Sequence, residues 1–289
     1  IKAFREQLQT SQSRSFEVPA RQLYDWLIRP AVDDLRARGT RVLVFVPDQL
    51  LRTIPPSALY DGERFLVEDF AVAVTPGLTV TGSEAVARGS GEVLTSGLTE
   101  QVDPEFAALP GVGAELDRID ALYLTREFRN SAFRMLPVAR ELSEGRYSIV
   151  HIATHGQFKA NFRDSFLLAY DGRIKLADLE KAVGSRRYLN DPVDLLVLSA
   201  CETAQGDSEA ALGLAGVALK AGARSALATL WSVNDVASAE LIGEFYSAYR
   251  DPAVSKAEAL REAQIALIRN PQLSHPGLWS PYLLFGSWL

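Results

Sequence analysis

Residues 194–231 read DLLVLSACETAQGDSEAALGLAGVALKAGARSALATLW. The opening run, rich in Leu and Val as far as Ser199, has the pattern of a strand covered on both faces. A small-residue stretch, EAALGLAGVALKAG, then carries helical spacing and ends at Gly222, a residue suited to a helix C-terminus. ARSALATLW (223–231) returns to a strand pattern. Strand, helix and strand in that order form a βαβ crossover, which makes the two strands parallel neighbours. The predicted fold class is therefore α/β, with a mostly parallel sheet flanked by helices.

Upstream, YSIVHIATHG (147–156) is a second buried strand ending in Gly, and SFLLAYDGRIKL (165–176) is a hairpin turning at Asp171-Gly172. Earlier still, RVLVFVP (41–47) reads as a strand buried on both faces and FAVAVT (70–75) as another. SALYDGERFLVE (57–68) reads as a hairpin around Asp61-Gly62, and EVLTSGLT (92–99) as a strand. A loop through Pro104 and Pro110 leads to a helix over AELDRIDALY (114–123). Beyond residue 231, two amphipathic helices are predicted at 235–250 and 255–269, and the tail LWSPYLLFGSWL returns to the sheet.

Residues 1–38 have helical periodicity through Leu23, Trp26, Leu27, Val32 and Leu35, interrupted at Pro30 and closed by Gly39. The distance from strand end to hairpin turn is 13 residues from Asp48 to Asp61 and 16 from His155 to Asp171, an indication of a duplicated unit. Three parts are expected: a helical segment at 1–38, a first half at 39–125 and a second half at 126–289.

The composition, 47% hydrophobic over 289 residues, supports a sizeable core. No apolar run approaches the roughly 20 residues that span a bilayer, and the start lacks the features of a secretion signal. A single Cys leaves no internal disulfide and no multi-cysteine zinc site, as expected of a cytoplasmic chain. A net charge of -6 argues against a nucleic-acid surface, which needs clustered Lys and Arg. The chain opens on Ile1 in a helical pattern, so it is expected to be a piece of a longer protein.

His155 and Cys201 each stand at the carboxyl end of a buried strand, the edge where open parallel sheets bind ligands. A thiol is mostly protonated at neutral pH, and an adjacent imidazole can take its proton. Gly156 allows close approach of backbone to a substrate, and its N–H together with that of Cys201 can serve as oxyanion donors. The bland alternative is a buried thiol and a satisfied core histidine. His151 lies four residues before His155, but HIATH lacks the Glu of a zinc-protease helix and sits on a strand, so no metal is expected and His151 is assigned to the core or to support of the site. The glycines of GLAGVALKAG match neither dinucleotide nor Walker spacing, and no GxSxG occurs.

HIATHG, LLVLSACETAQGD, LGLAGVALKAGARSALATLWSVND and HPGLWSPYLLFGSW together resemble the CHAT domain, a caspase-like family often fused to TPR repeats. The resemblance implies a cysteine endopeptidase with His155 and Cys201 in the catalytic positions shared with caspases and separases, and no cofactor. It also implies an inactive caspase-like half before an active one, and Pro47 and Asp48 stand where the second half has His-Gly. LWSVND is similar to the separase stretch LWDVTD, which implies Trp231 as a pocket wall and Asp235 as the charge that selects a basic residue before the cleaved bond. The competing role for Asp235 is to cap a helix beginning near 236. Glu202 is a second candidate for substrate contact, and Asp207 is expected to be a solvated loop carboxylate. Partners implied are a protein or peptide substrate and regulatory contact with N-terminal TPR repeats or another protein, with no nucleic acid and no membrane. Arg186 and Arg187, in a loop between the two catalytic strands, are a candidate self-cleavage site. A catalytically silent scaffold of the same fold is the alternative.

Overall fold

A computed structural model of the chain describes residues 1–10, 13–77, 92–158, 165–184, 192–199, 202–203, 216, 219 and 222–289. The N-terminal segment forms α1 (Lys2–Thr10), α2 (Glu17–Leu27) and α3 (Val32–Ala37), broken before Pro30 as predicted and ended by Gly39 in the left-handed region at φ +65°. Phe4, Leu8, Phe16, Ala20 and Leu23 of this segment belong to the main hydrophobic cluster. Trp26, counted with the apolar stripe, is 65% exposed instead.

Next come β1 (Val42–Phe45), α4 (Leu66–Asp69), β2 (Ala71–Val74) and β3 (Val93–Gly97). Two expectations fail here. β1 is only half-buried, because it is the outermost strand of its sheet and β2 is its one strand neighbour. The hairpin at Asp61-Gly62 shrinks to a single bridge, Tyr60 with Phe65. Its second arm winds into α4, since the Glu68 carboxylate accepts the Phe65 N–H at 2.7 Å and fixes a helical turn.

The chain continues with α5 (Gly111–Asp120), β4 (Thr125–Arg129), α6 (Met135–Glu144), β5 (Ile149–Ala153), β6 (Gly156–Phe158), β7 (Phe166–Ala169), β8 (Gly172–Lys175) and α7 (Leu176–Gly184). The Asp171-Gly172 hairpin forms as predicted, joining β7 to β8 with Gly172 at φ +139°. The last elements are β9 (Leu195–Ser199), β10 (Glu202–Thr203), β11 (Ser225–Thr229), α8 (Asp235–Tyr249), α9 (Lys256–Arg269), α10 (Pro276–Trp279) and β12 (Tyr282–Gly286). The small-residue helix expected at 209–222 lies largely outside the described residues.

Among the described residues, eight strands form one sheet in the order β1-β2-β12-β11-β9-β5-β3-β4. β11, β9, β5, β3 and β4 run parallel, which bears out the predicted parallel pairing of β9 with β11, while β12 is antiparallel to β11 and parallel to β2. The predicted boundary at 125/126 does not separate two sheets, because β3 lies hydrogen-bonded between β5 and β4. β5, β9, β11 and β12 are buried at every position, as expected of strands covered on both faces. A second, small sheet, β10-β6-β7-β8, extends from the carboxyl ends of β5 and β9.

Candidate active site

The carboxyl ends of β3, β5, β9 and β11 share one edge of the large sheet, and the predicted residues follow from those ends. Past β5, the Thr154 N–H donates to Ser199 O at 3.2 Å, and Thr154 Oγ1 donates to Leu168 O at 2.7 Å. The Leu168 N–H in turn donates to His155 O at 2.8 Å. The backbone of His155 is thus held between β9 and the β7 strand of the hairpin. Gly156, buried, opens β6.

Ala200 and Cys201 lie outside the described residues, as do Asp207, Arg186 and Arg187. The chain on both sides of Cys201 is placed. Ser199 pairs with Ala153, and the Glu202 backbone pairs with Gln157, so the segment carrying His155 and the segment carrying Cys201 run side by side above and below that level.

The half-buried imidazole of His155 meets the loop predicted through Pro104 and Pro110, a contact that the sequence did not mark. Residues 98–110, here called the strap, leave β3 and cross the sheet edge to α5. Nε2 of His155 lies 2.7 Å from Ala107 O, and the ring packs on Phe106 at 5.1 Å between centroids. A carbonyl oxygen can only accept, so Nε2 carries the hydrogen and Nδ1 is left with its lone pair. That tautomer presents a base.

Trp231, two residues past β11, is buried and donates its indole N–H to Gly277 O at 3.1 Å. It borders a cavity of about 920 Å³ together with Arg14, Glu17, Phe65 and His275. His155 does not line this cavity. The helix-capping alternative for Asp235 fails by one residue. Asn234 is the cap, its Oδ1 accepting the N–H groups of Val236 at 2.9 Å and Ala237 at 3.3 Å, and α8 begins at Asp235 itself. Asp235 Oδ2 instead accepts the Gly111 N–H at 3.3 Å, satisfying a free donor at the start of α5. A Cβ on Gly111 would lie 2.5 Å from Asp235 Cβ, so this contact requires glycine. The strap and the first residue after it therefore touch both His155 and Asp235.

Beneath the edge, His151 is fully buried. Its Nδ1 is 3.2 Å from Tyr246 Oη, and its Nε2 is 3.0 Å from Glu115 Oε1, off the axis of a linear hydrogen bond. Burial, followed by the neighbouring Tyr123 and Glu115, holds the Tyr246 phenol well above its ordinary pKa. Tyr246 therefore keeps its phenol hydrogen and pairs with Nδ1, while Nε2 faces the Glu115 carboxylate. This places His151 in the core, one of the two roles the sequence offered for it. Among the described residues no group of three or more His, Cys, Asp or Glu side chains is arranged to hold a metal ion, and no helix is long and apolar enough to cross a membrane.

A family model described as the CHAT domain matches residues 17–287. Comparison with curated proteins gives no match. Among solved structures, the chain is similar to the Arg-specific cysteine proteinase gingipain R, with a TM-score of 0.59 at 10% identity over 98% of this chain and 69% of that one. It is similar also to the complex of the Porphyromonas gingivalis RgpB pro- and mature domains, with a TM-score of 0.55 at 8% identity over 94% of this chain and 68% of that one. The Saccharomyces cerevisiae separase–securin complex gives 0.55 at 12% identity, over 91% of this chain and 17% of that one. At such identities the likeness is one of fold, a mixed α/β architecture of caspase-like type. The match to the family model spans nearly the whole sequence, and the chain belongs to the CHAT-domain family.

Proposed function

We propose that this CHAT domain is a cysteine endopeptidase in which His155 is the base and Cys201 the nucleophile. Nδ1 of His155 takes the thiol proton, and the thiolate attacks the carbonyl carbon of the scissile peptide. The N–H groups of Gly156 and Cys201 stabilise the oxyanion of the tetrahedral intermediate. The imidazolium then returns its proton to the leaving amine as the C–N bond breaks and a thioester forms. Water, deprotonated by the same nitrogen, hydrolyses the thioester and restores the thiol.

The observation that supports this reading is the 2.7 Å contact of His155 Nε2 with the Ala107 carbonyl, on a segment paired with both flanks of Cys201. Basic selectivity at the residue before the cleaved bond rests on the Asp235 carboxylate at the same sheet edge, with Trp231 as a wall and Glu202 as a second contact. The Arg specificity named for gingipain R agrees with it. The setting proposed is cytoplasmic, with control by TPR repeats preceding this domain or by a partner protein.

The test is to incubate the protein, with its upstream region, with peptides carrying Arg, Lys or Asp before a fluorogenic leaving group. Cleavage after Arg and Lys is expected, and Cys201→Ala should lower it about 10,000-fold. Cleavage that persists in Cys201→Ala overturns the mechanism.

A further inference from the structure

We infer that Arg173, on β8 of the small sheet, is a positioning residue for His155, acting through the strap. The inference rests on the reading of His155 as the base. The strap is tied down at its start, where the Leu98 N–H donates to Ala153 O at 3.1 Å and Asn130 Oδ1 accepts the Thr99 N–H at 2.8 Å. It is tied again where Gly111 meets Asp235. Between these anchors lies the stretch that reaches the imidazole, and Arg173 grips it.

The guanidinium of Arg173 lies 3.2 Å from Asp103 Oδ2 and also pairs with Glu105. Asp103 shapes the turn from within, its Oδ1 accepting the Glu105 N–H at 2.9 Å and its carbonyl accepting the Phe106 N–H at 3.0 Å. The same guanidinium stands over the rings of Phe166, at 4.5 Å, and Phe106, at 5.9 Å. Phe106 contacts His155 in turn, with 5.1 Å between ring centroids, and the next residue supplies the carbonyl on Nε2. A contiguous path of contacts runs from cation to phenyl ring to imidazole. Arg173 touches no reacting atom in this arrangement; it keeps Ala107 O where it selects the Nε2–H tautomer.

Lys reproduces this only in part, because Nη2 of Arg173 meets both carboxylates while the planar guanidinium stands over two rings, and an ammonium supplies the charge without the flat face. Removing the grip lets the strap sample other positions, Nε2 loses its fixed acceptor, and the two neutral tautomers of His155 approach the mixture of a free imidazole.

Nitrogen-resolved NMR of the side chains of the three histidines in the uncleaved protein tests this without a substrate. The wild type is expected to show His155 as the Nε2–H tautomer. Arg173→Ala should convert it to a mixture, leave His151 unchanged, and lower kcat about 10-fold with little change in KM. Arg173→Lys should fall between the two. Asp103→Asn combined with Glu105→Gln removes the grip from the other side and should reproduce Arg173→Ala. An unchanged His155 tautomer in both Arg173→Ala and the double variant overturns the inference. A shifted tautomer in a protein that never cleaves a peptide supports the positioning role while counting against the peptidase reading alone.

Discussion

His151, within β5, and His155, two residues beyond its end, occupy opposite kinds of surroundings. At His151 both ring nitrogens face side chains of packed helices, Tyr246 of α8 and Glu115 of α5. At His155, Nε2 meets a backbone carbonyl of a loop. The first ring ties β5 to α8 and faces α5 in the interior. The second stands at the sheet edge, where the chemistry is proposed.

The largest effect that separates the two regions is catalytic. His155→Ala should abolish cleavage as completely as Cys201→Ala, about 10,000-fold, while shifting the urea midpoint little, because the ring is only half-buried. The interior should show the reverse. Glu115→Ala leaves the buried Nε2 of His151 facing a void and is expected to cost about 3 kcal/mol in urea unfolding, with kcat preserved in whatever protein remains folded. A catalytic loss in Glu115→Ala as large as that of His155→Ala would erase the distinction.

Smaller effects sharpen the edge itself. Asp235→Asn keeps an oxygen to accept the Gly111 N–H and removes the charge, so stability should hold while cleavage after Arg falls about 10- to 100-fold relative to an uncharged residue. A collapse of stability with unchanged selectivity would make Asp235 a tie between α5 and α8 and nothing more. The smallest effect belongs to the third histidine. Burial lowers the pKa of His275 below its ordinary value of 6.5, outweighing the opposing pull of its hydrogen bond with Ser13 O. The unfolded chain then takes up that proton more readily than the folded one. The stability contributed by the neutral ring is present above pH 6.5 and declines as pH falls through 6.5 toward the folded pKa. The urea midpoint of His275→Gln should therefore fall less between pH 7.5 and 5.5 than that of the wild type.

The sequence exposed most of the sheet, because strands covered on both faces are continuous apolar runs, as in Leu195–Ser199 and Ile149–Ala153. It misplaced β1 because VLVF is equally apolar at an edge, and it missed β4 because TREFR, an edge strand carrying Arg126 and Arg129, has no such run. The cap was misjudged by one position, since Asn234 and Asp235 are both good cap residues and only the extended ψ of 135° at Asn234 decides between them. The position of His155 and Gly156 just past a strand end was legible. Ala107 was not, because a backbone carbonyl can come from any residue. Neither were the partners of His151 or the pairing of Arg173 with Asp103, which join residues far apart in the chain and leave no local spacing to read.

β12 lies between β2 and β11, so a strand that follows both of them in the sequence joins the two sets of parallel strands. During synthesis, a chain that has not yet produced Tyr282–Gly286 has β2 and β11 as open sheet edges, each ready to pair with another chain. Until Gly277 has been added, Trp231 also lacks the acceptor for its indole. Assembly of the edge that carries the proposed chemistry is thereby coupled to synthesis of β12, and a nascent chain stalled before that strand is more prone to aggregate than to cut.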